Sequence, residues 1–347
     1  MTAIEIRQLR SRLLNWFAQS KRDLPWRLTK DAYRIWISEI MLQQTRVAAV
    51  IPYYDRFLAR FPSVEVLANA PEEDLLAHWA GLGYYSRARN LQKAAQRIAI
   101  AGGFPTTYEG ICELPGVGDY TAAAVASIAF DLPHVVLDGN VFRVLSRLFN
   151  DSMNIKSPHA RRHFAKLADE LMDPAQPGDF NQAMMELGAT VCLPRAPRCL
   201  LCPVAEFCRA REAQTQTGLP TRVAAPRNAA EQRTLYWIER DGQLLLWQRP
   251  ADARLMPGFW ELPERDQLPQ VEAGEVIGMF RHGITVHDYR FTIVHSTPPQ
   301  ETGACRWVPL SDLNCLPSST VLRKAWTVVH RTPMGNANVI LSVAAAR

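Results

Sequence analysis

Apolar residues recur every three or four positions over most of the first two hundred residues. Ile6, Leu9, Leu13, Trp16 and Phe17, for example, fall on one face of a helix. Short breaks interrupt the pattern at Leu24-Pro25, Phe61-Pro62, Gly102-Gly103, Leu114-Pro115-Gly116, Asp131-Leu132-Pro133 and between Pro174 and Gly178. From residue 4 to about 210 the pattern predicts about ten short helices joined by tight turns. The texture changes near residue 211, where Ala, Gln, Thr, Arg and Pro dominate without period, as in an interdomain linker. Strand-like segments follow at Thr234–Ile238, Gln243–Trp247, Arg290–Val294 and Cys305–Val308, with a helix over about Ser319–His330. The expected organisation is a mainly helical domain at 1–212, a linker at 213–231 and a smaller α+β domain at 232–347. A length of 347 residues suits two domains.

Composition narrows the class without choosing a function. With 48% hydrophobic and 21% charged residues the chain reads as globular, and no apolar run approaches the ~20 residues of a membrane span. The first twenty residues mix charged and apolar groups at helical spacing, unlike a secretory signal, so a reducing cytoplasm is expected. The net charge of +5 suits a polyanionic partner, and equally any mildly basic protein.

Cysteine placement says more than cysteine number. Of seven, four lie in Cys192-x6-Cys199-x2-Cys202-x5-Cys208, while Cys112, Cys305 and Cys315 are scattered. A local group of four thiols in a reducing compartment points to metal rather than disulfides. One short loop with a single CxxC and two asymmetrically placed partners suits a [4Fe–4S] cluster, with structural zinc as the alternative. Arg195, Arg198 and Arg209 around it either meet phosphates or are simply solvated.

Three further segments carry candidate chemistry. In Leu114-Pro115-Gly116-Val117-Gly118 the glycines permit backbone angles that other residues resist and a close phosphate approach, with the next helix aimed at the same anion. An ordinary interhelical turn has the same composition. Asp138, between an apolar triplet and Gly139-Asn140, reads as a helix N-cap or as a functional carboxylate. Glu39 shares a helix with Ile35, Trp36, Leu42 and Gln43, and reads either as an ordinary exposed glutamate or as a carboxyl whose apolar surroundings raise its pKa toward general-acid use. The uncharged run Gln43-Gln44-Thr45 ending that apolar helix could hydrogen-bond exposed base edges.

Taken in order, these segments resemble the helix–hairpin–helix DNA glycosylases with a [4Fe–4S] cluster, the endonuclease III superfamily, and within it the MutY-type adenine glycosylases. The likeness rests on LPWR at 24–27, WISEIMLQQTRV at 36–47, AGLGYYSRARNL at 80–91, LPGVGDYTA at 114–122, LDGNVFRVLSRL at 137–148, FNQAMMELGA at 180–189 and the cysteine loop. Endonuclease III-like enzymes place a Schiff-base lysine two residues after the hairpin; this chain has Tyr120. The resemblance therefore implies a monofunctional enzyme, acting as a monomer on duplex DNA with adenine mispaired with 8-oxoguanine or guanine. The adenine would be flipped out of the helix. By the same resemblance Glu39 protonates the base, Asp138 stabilises the sugar cation, and Tyr120 and Asn140 position them. Trp26, Arg27 and Gln182 match positions near the adenine. Gln43, Thr45 and Tyr84 match a wedge that enters the duplex, with Gln44, Tyr85, Gly116 and Gly118 also at the DNA. Cys192, Cys199, Cys202 and Cys208 match the cluster ligands.

In the second domain, LLWQRP at 245–250 and LMPGFWELP at 255–263 resemble the Nudix-like domain that reads 8-oxoguanine, without the Glu-rich box that binds magnesium. His282 and Thr285 match its lesion-reading loop, but Val286 stands where the family has a histidine and His287 comes one residue late. The rivals are a bifunctional pyrimidine-lesion lyase, which Tyr120 disfavours, a non-catalytic DNA-binding scaffold, and a Nudix hydrolase.

Overall fold

The computed structural model describes residues 1–221, 230–250, 252–253, 256–284, 287–313 and 316–331. The chain divides into two compact units, Met1–Val223 and Ala224–Arg347. In the first, twelve helices are described: α1 Ala3–Ser20, α2 Ala32–Leu42, α3 Val47–Arg60, α4 Val64–Ala68, α5 Glu72–Trp79, α6 Ser86–Ala101, α7 Tyr108–Cys112, α8 Asp119–Phe130, α9 Gly139–Leu148, α10 Ala160–Leu171, α11 Pro177–Thr190 and α12 Arg209–Glu212.

Local sequence sets many of their boundaries. Thr2 and Glu5 form a reciprocal capping box at the start of α1, and Asp31, Ser63, Thr107 and Asp138 cap α2, α4, α7 and α9 with their side chains. Gly102, at φ +78°, ends α6.

Two apolar cores share this unit. One gathers α2 to α8 around Trp36, Phe57, Phe61 and Trp79; the other joins α1 to α9, α10 and α11 around Leu13, Leu145, Phe164 and Phe180. Helix α8 has buried residues all along Thr121–Ile128, half of them alanines, so its neighbours approach from several sides. Residues placed between the two cores meet side chains from both, and the candidate site lies there.

The segment expected as a linker is partly docked on the helices. Thr215 Oγ1 donates to Asn150 Oδ1, the Leu219 carbonyl accepts from Arg147, and the Thr221 carbonyl accepts from the Ile155 N–H. Leu219 is buried. Composition alone misses this, because single contacts here anchor a stretch with no periodic face.

The second unit is α+β. It contains β1 Glu231–Trp237, β2 Glu239–Arg240, β3 Gln243–Gln248, β4 Trp260–Glu261, β5 Val276–Ile284, β6 His287–His295, β7 Cys305–Pro309 and α13 Thr320–His330. One sheet runs β1-β6-β5, with β1 parallel and β5 antiparallel to β6. In the other, β3 pairs antiparallel with β2, β4 and β7. The four strand segments and the helix read from the sequence lie within β1, β3, β6, β7 and α13, β1 stopping one residue short at Trp237. Strand β5 gave no readable signal, because its glycines and basic residues blur the period of two.

Candidate active site and DNA-facing surface

A cavity of about 230 Å³ opens between the two helical cores, lined among others by Trp26, Arg27, Glu39, Thr45, Tyr120, Asp138, Asn140 and Gln182. The four residues matched to catalysis and the three matched to adenine therefore share one cavity, although they are spread over 157 positions from 26 to 182. No lysine lines it.

Glu39 is carried by the middle of α2, and α2 is buried from Ile35 to Met41. Its side chain is almost fully covered, and Oε2 has no hydrogen-bond partner among the described residues. Burial pushes this carboxyl up to about 7; the Tyr120 hydroxyl and the Arg27 cation pull against that, and Asp138 adds to it. Near neutral pH the proton is thus available, as a general acid requires. Tyr120 is raised well above its usual value by burial and by the charges of Glu39 and Asp138, so it stays a phenol. Its hydroxyl also reaches Met185 Sδ at 3.4 Å.

Asp138 fills both roles that the sequence left open. It is the N-cap of α9: Oδ1 accepts from the Asn140 and Val141 N–H groups at 2.8 and 2.7 Å. Oδ2 accepts from Asn140 Nδ2 at 2.8 Å, and the residue lines the cavity. Asn140 Oδ1 in turn accepts from Arg143 Nη2 at 2.9 Å. Gly188 on α11 makes room for this arrangement, since a Cβ there would lie 2.6 Å from Asn140 Cβ.

The cavity also exposes residues that the sequence reading missed. Glu186 on α11 has a fully covered side chain and accepts from Arg22 Nε and Nη2 at 2.7 Å and from Arg27 Nη2 at 2.8 Å. Burial alone would raise it, but these hydrogen bonds hold Glu186 at about 2. Arg22 and Glu186 both line the cavity. Their signal was faint: an arginine before LPWR and a glutamate one helical turn after Gln182, the same face of α11.

Of the DNA-facing candidates, Thr45 lines the cavity while Gln43, Gln44, Tyr84, Tyr85, Gly116 and Gly118 do not. Gln43 Nε2 donates to Thr121 Oγ1 at 3.1 Å. Gln44 and Tyr84 both adopt left-handed backbone angles, φ +57° and +50°, and both are exposed, whereas Tyr85 is half-buried. In the hairpin, Gly116 has φ +78° and a Cβ there would meet Asn90 Cβ at 2.8 Å, so glycine is required twice over. Gly118 differs from expectation: its φ of −103° is open to any residue, and it serves as the N-cap of α8 with open space where a side chain would be.

The four loop cysteines line a common second cavity together with Arg147 and Gln216. Burial pushes the Cys202 thiol up to about 12, and Cys192, Cys199 and Cys208 all add to this, as thiols facing one another do. Among the described residues no three His, Cys, Asp or Glu side chains converge as a ready single-ion site. Four soft sulfur donors around one cavity fit a multi-iron cluster. Arg147 from α9 donates to the Leu193 and Pro194 carbonyls and to Cys192 Sγ, and Arg143 donates to the Cys192 carbonyl.

In the second unit, His282 on β5 is half-buried, and Lys324 Nζ on α13 stands 3.2 Å from its Nδ1. Burial and the lysine charge lower the His282 pKa. Thr285 lies outside the described residues.

Residues 37–170 match the family described as the HhH-GPD superfamily of base excision DNA repair proteins. An adenine DNA glycosylase of Rattus norvegicus is 36% identical over 411 residues, covering 95% of this chain and 80% of the relative. This chain belongs to the adenine DNA glycosylases. A solved thermostable thymine-DNA glycosylase is similar at 30% identity and a TM-score of 0.56, covering 60% of this chain and 98% of that one. An endonuclease III trapped as a covalent DNA intermediate shares the helical fold at 23% identity and a TM-score of 0.52, covering 62% of this chain and 99% of its own. The family thus supports a DNA N-glycosylase in base excision repair, and no helix here is long and apolar enough to cross a membrane among the described residues.

Proposed function

We propose that this chain is a monofunctional glycosylase that removes adenine mispaired with 8-oxoguanine or guanine in duplex DNA. The observation that carries the reading is one cavity lined by both Asp138 and the buried Glu39, whose carboxyl burial raises to about 7. A cavity below the ~300–1,000 Å³ of ordinary small-molecule sites suits one flipped base.

The chemistry follows from the two carboxyl environments. Glu39 delivers its proton to the adenine ring, which makes the base a tolerable leaving group. Electron density then leaves the sugar, and the Asp138 carboxylate opposes the positive charge that develops there. Asn140 and the α9 N–H groups fix that carboxylate in place. Water completes the hydrolysis, and an abasic site remains. The absence of a lysine from the lining supports hydrolysis over a Schiff-base lyase. Arg22, Arg27 and Glu186 offer donors and an acceptor suited to the polar edge of a purine.

Cys192, Cys199, Cys202 and Cys208 would hold a [4Fe–4S] cluster, which when bound ties their loop into one rigid unit. The hairpin with Gly116 and Gly118, leading into the N-terminus of α8, suits a phosphate. The second domain would read the opposite base in a Nudix-like fold, with His282 as a contact.

The test is a duplex carrying adenine opposite 8-oxoguanine. Purified protein should release free adenine, and the strand should break only after hot alkali. A borohydride-trappable adduct with strand cleavage in the absence of alkali would overturn the reading.

A further inference from the structure

The residues matched to the duplex wedge, Gln43 and Thr45 on one segment and Tyr84 on another, are some forty residues apart in the chain, and one side chain holds the two segments together. Arg87 is the second residue of α6 and is buried. Its Nη1 lies 2.8, 2.9 and 2.5 Å from the carbonyls of Ile40, Met41 and Gln43. Its Nη2 lies 3.1 Å from Thr45 Oγ1 and 3.1 and 3.2 Å from the carbonyls of Leu82 and Gly83. The guanidinium carbon sits 5.4 Å from the Trp79 ring centroid and 5.6 Å from that of Tyr84.

Each part of this geometry has a physical reason. The last carbonyls of α2 have no partner within the helix, and a cation at a helix C-terminus is favoured by the dipole. The planar fork of arginine can serve acceptors on two sides at once, which a lysine ammonium cannot do. Gln44 and Tyr84 hold left-handed backbone angles that cost free energy in non-glycine residues and persist only where neighbours impose them. Gln44 is flanked by two residues on the fork, Gln43 and Thr45. Tyr84 directly follows two more and stacks on the guanidinium.

We propose that Arg87 is a positioning residue that builds the wedge before DNA arrives, clamping Gln43–Thr45 and Tyr84 in their strained conformations. This rests on reading those segments as the wedge. Arg87 does not line the cavity that holds Glu39 and Asp138, so the effect proposed for it is on opening the duplex and not on bond cleavage.

The experiment compares two substrates in single-turnover adenine release. One is an intact duplex with adenine opposite 8-oxoguanine; in the other the adenine sits in a short unpaired bubble, so that opening is already done. Rates for each variant are taken relative to wild type on the same substrate. Arg87→Lys should fall by ~10²-fold on the duplex, the loss that a small misplacement produces, and recover toward wild type on the bubble. Tyr84→Ala should behave alike. Equal loss on both substrates would overturn the proposal in favour of a general structural role. Loss with Tyr84→Ala but none with Arg87→Lys would keep the wedge and remove the clamp. No loss with either would remove the wedge reading itself and the clamp with it. If Arg87→Lys does not fold, Arg87→Gln carries the same comparison, because its single amide cannot serve the acceptors of both segments at once. A further variant, Gln44→Gly in the Arg87→Lys background, should regain part of the lost rate, since glycine takes the left-handed angle unaided; no regain would count against the clamp.

Discussion

Asn140 donates from Nδ2 to Asp138 Oδ2 at 2.8 Å while its backbone N–H reaches Oδ1 at the same distance, so one residue holds both oxygens of the carboxylate. Arg143 fixes the amide from behind by donating to Asn140 Oδ1 and to the Gly188 carbonyl. The contacts that cap α9 also fix the orientation of a carboxylate lining the cavity.

That double use makes Asp138→Asn informative. Asparagine keeps the cap through its oxygen but turns an amide NH2 toward Asn140 Nδ2, so the stability loss should be about 1 kcal/mol, that of one hydrogen bond. Loss of the charge opposing the sugar cation should lower adenine release by at least ~10³-fold. Parallel melting curves, mismatch-DNA binding and single-turnover kinetics check this, and undiminished release would remove Asp138 from the mechanism.

The Glu39 proton gives a pH signature. Its carboxyl is held at about 7 by burial, so the active protonated form is lost as pH rises through that value. Single-turnover rates should be flat well below pH ~7 and fall about tenfold per unit well above it. Glu39→Gln should be slow and lack this limb. Because the folded pKa is raised, the neutral carboxyl also favours the folded state below the usual carboxylate range, and that contribution drains away as Glu39 ionises.

Glu186 has the opposite sign. Its hydrogen bonds from Arg22 and Arg27 hold it at about 2 against a usual 4.5, so the stability it gives is present above 4.5 and lost as pH falls toward 2. Glu186→Gln leaves Arg27 without its buried partner and should cost about 3 kcal/mol, the low end for a broken buried pair because Arg22 is partly exposed. Melting temperature followed from pH 7 to 3 should converge between the variant and wild type; a constant gap would show that packing, not charge, sets the difference.

Freshly purified protein should be brown and contain iron and acid-labile sulfide in equal amounts. Cys199→Ser should lose both and melt earlier, since its loop carries the backbone that Arg143 and Arg147 bind. Zinc in place of iron would overturn the cluster assignment.

The helical pattern and the strand segments were legible because each reports a local period: apolar residues every three or four positions, or every second one. The cysteine loop was legible by spacing, and Tyr120 by its place after a recognisable turn. Glu39 announced itself as a carboxylate inside an apolar helix. Arg22, Glu186 and Arg87 gave no comparable signal. A buried arginine looks like any other arginine in a sequence until the carbonyls and carboxylates it serves are brought to it. The conformational need at Gly118 was read in, and the structure shows extended backbone there.

The sequence by itself determined most of the elements, the family and the inventory of reactive groups, because these depend on residue type and short spacing. Tertiary structure decided which groups act together. Packing two helical cores against each other placed Glu39 and Asp138 on one cavity, and burial there raised the Glu39 carboxyl to about 7. Burial and proximity are properties of the folded chain, and no spacing along the sequence reports them.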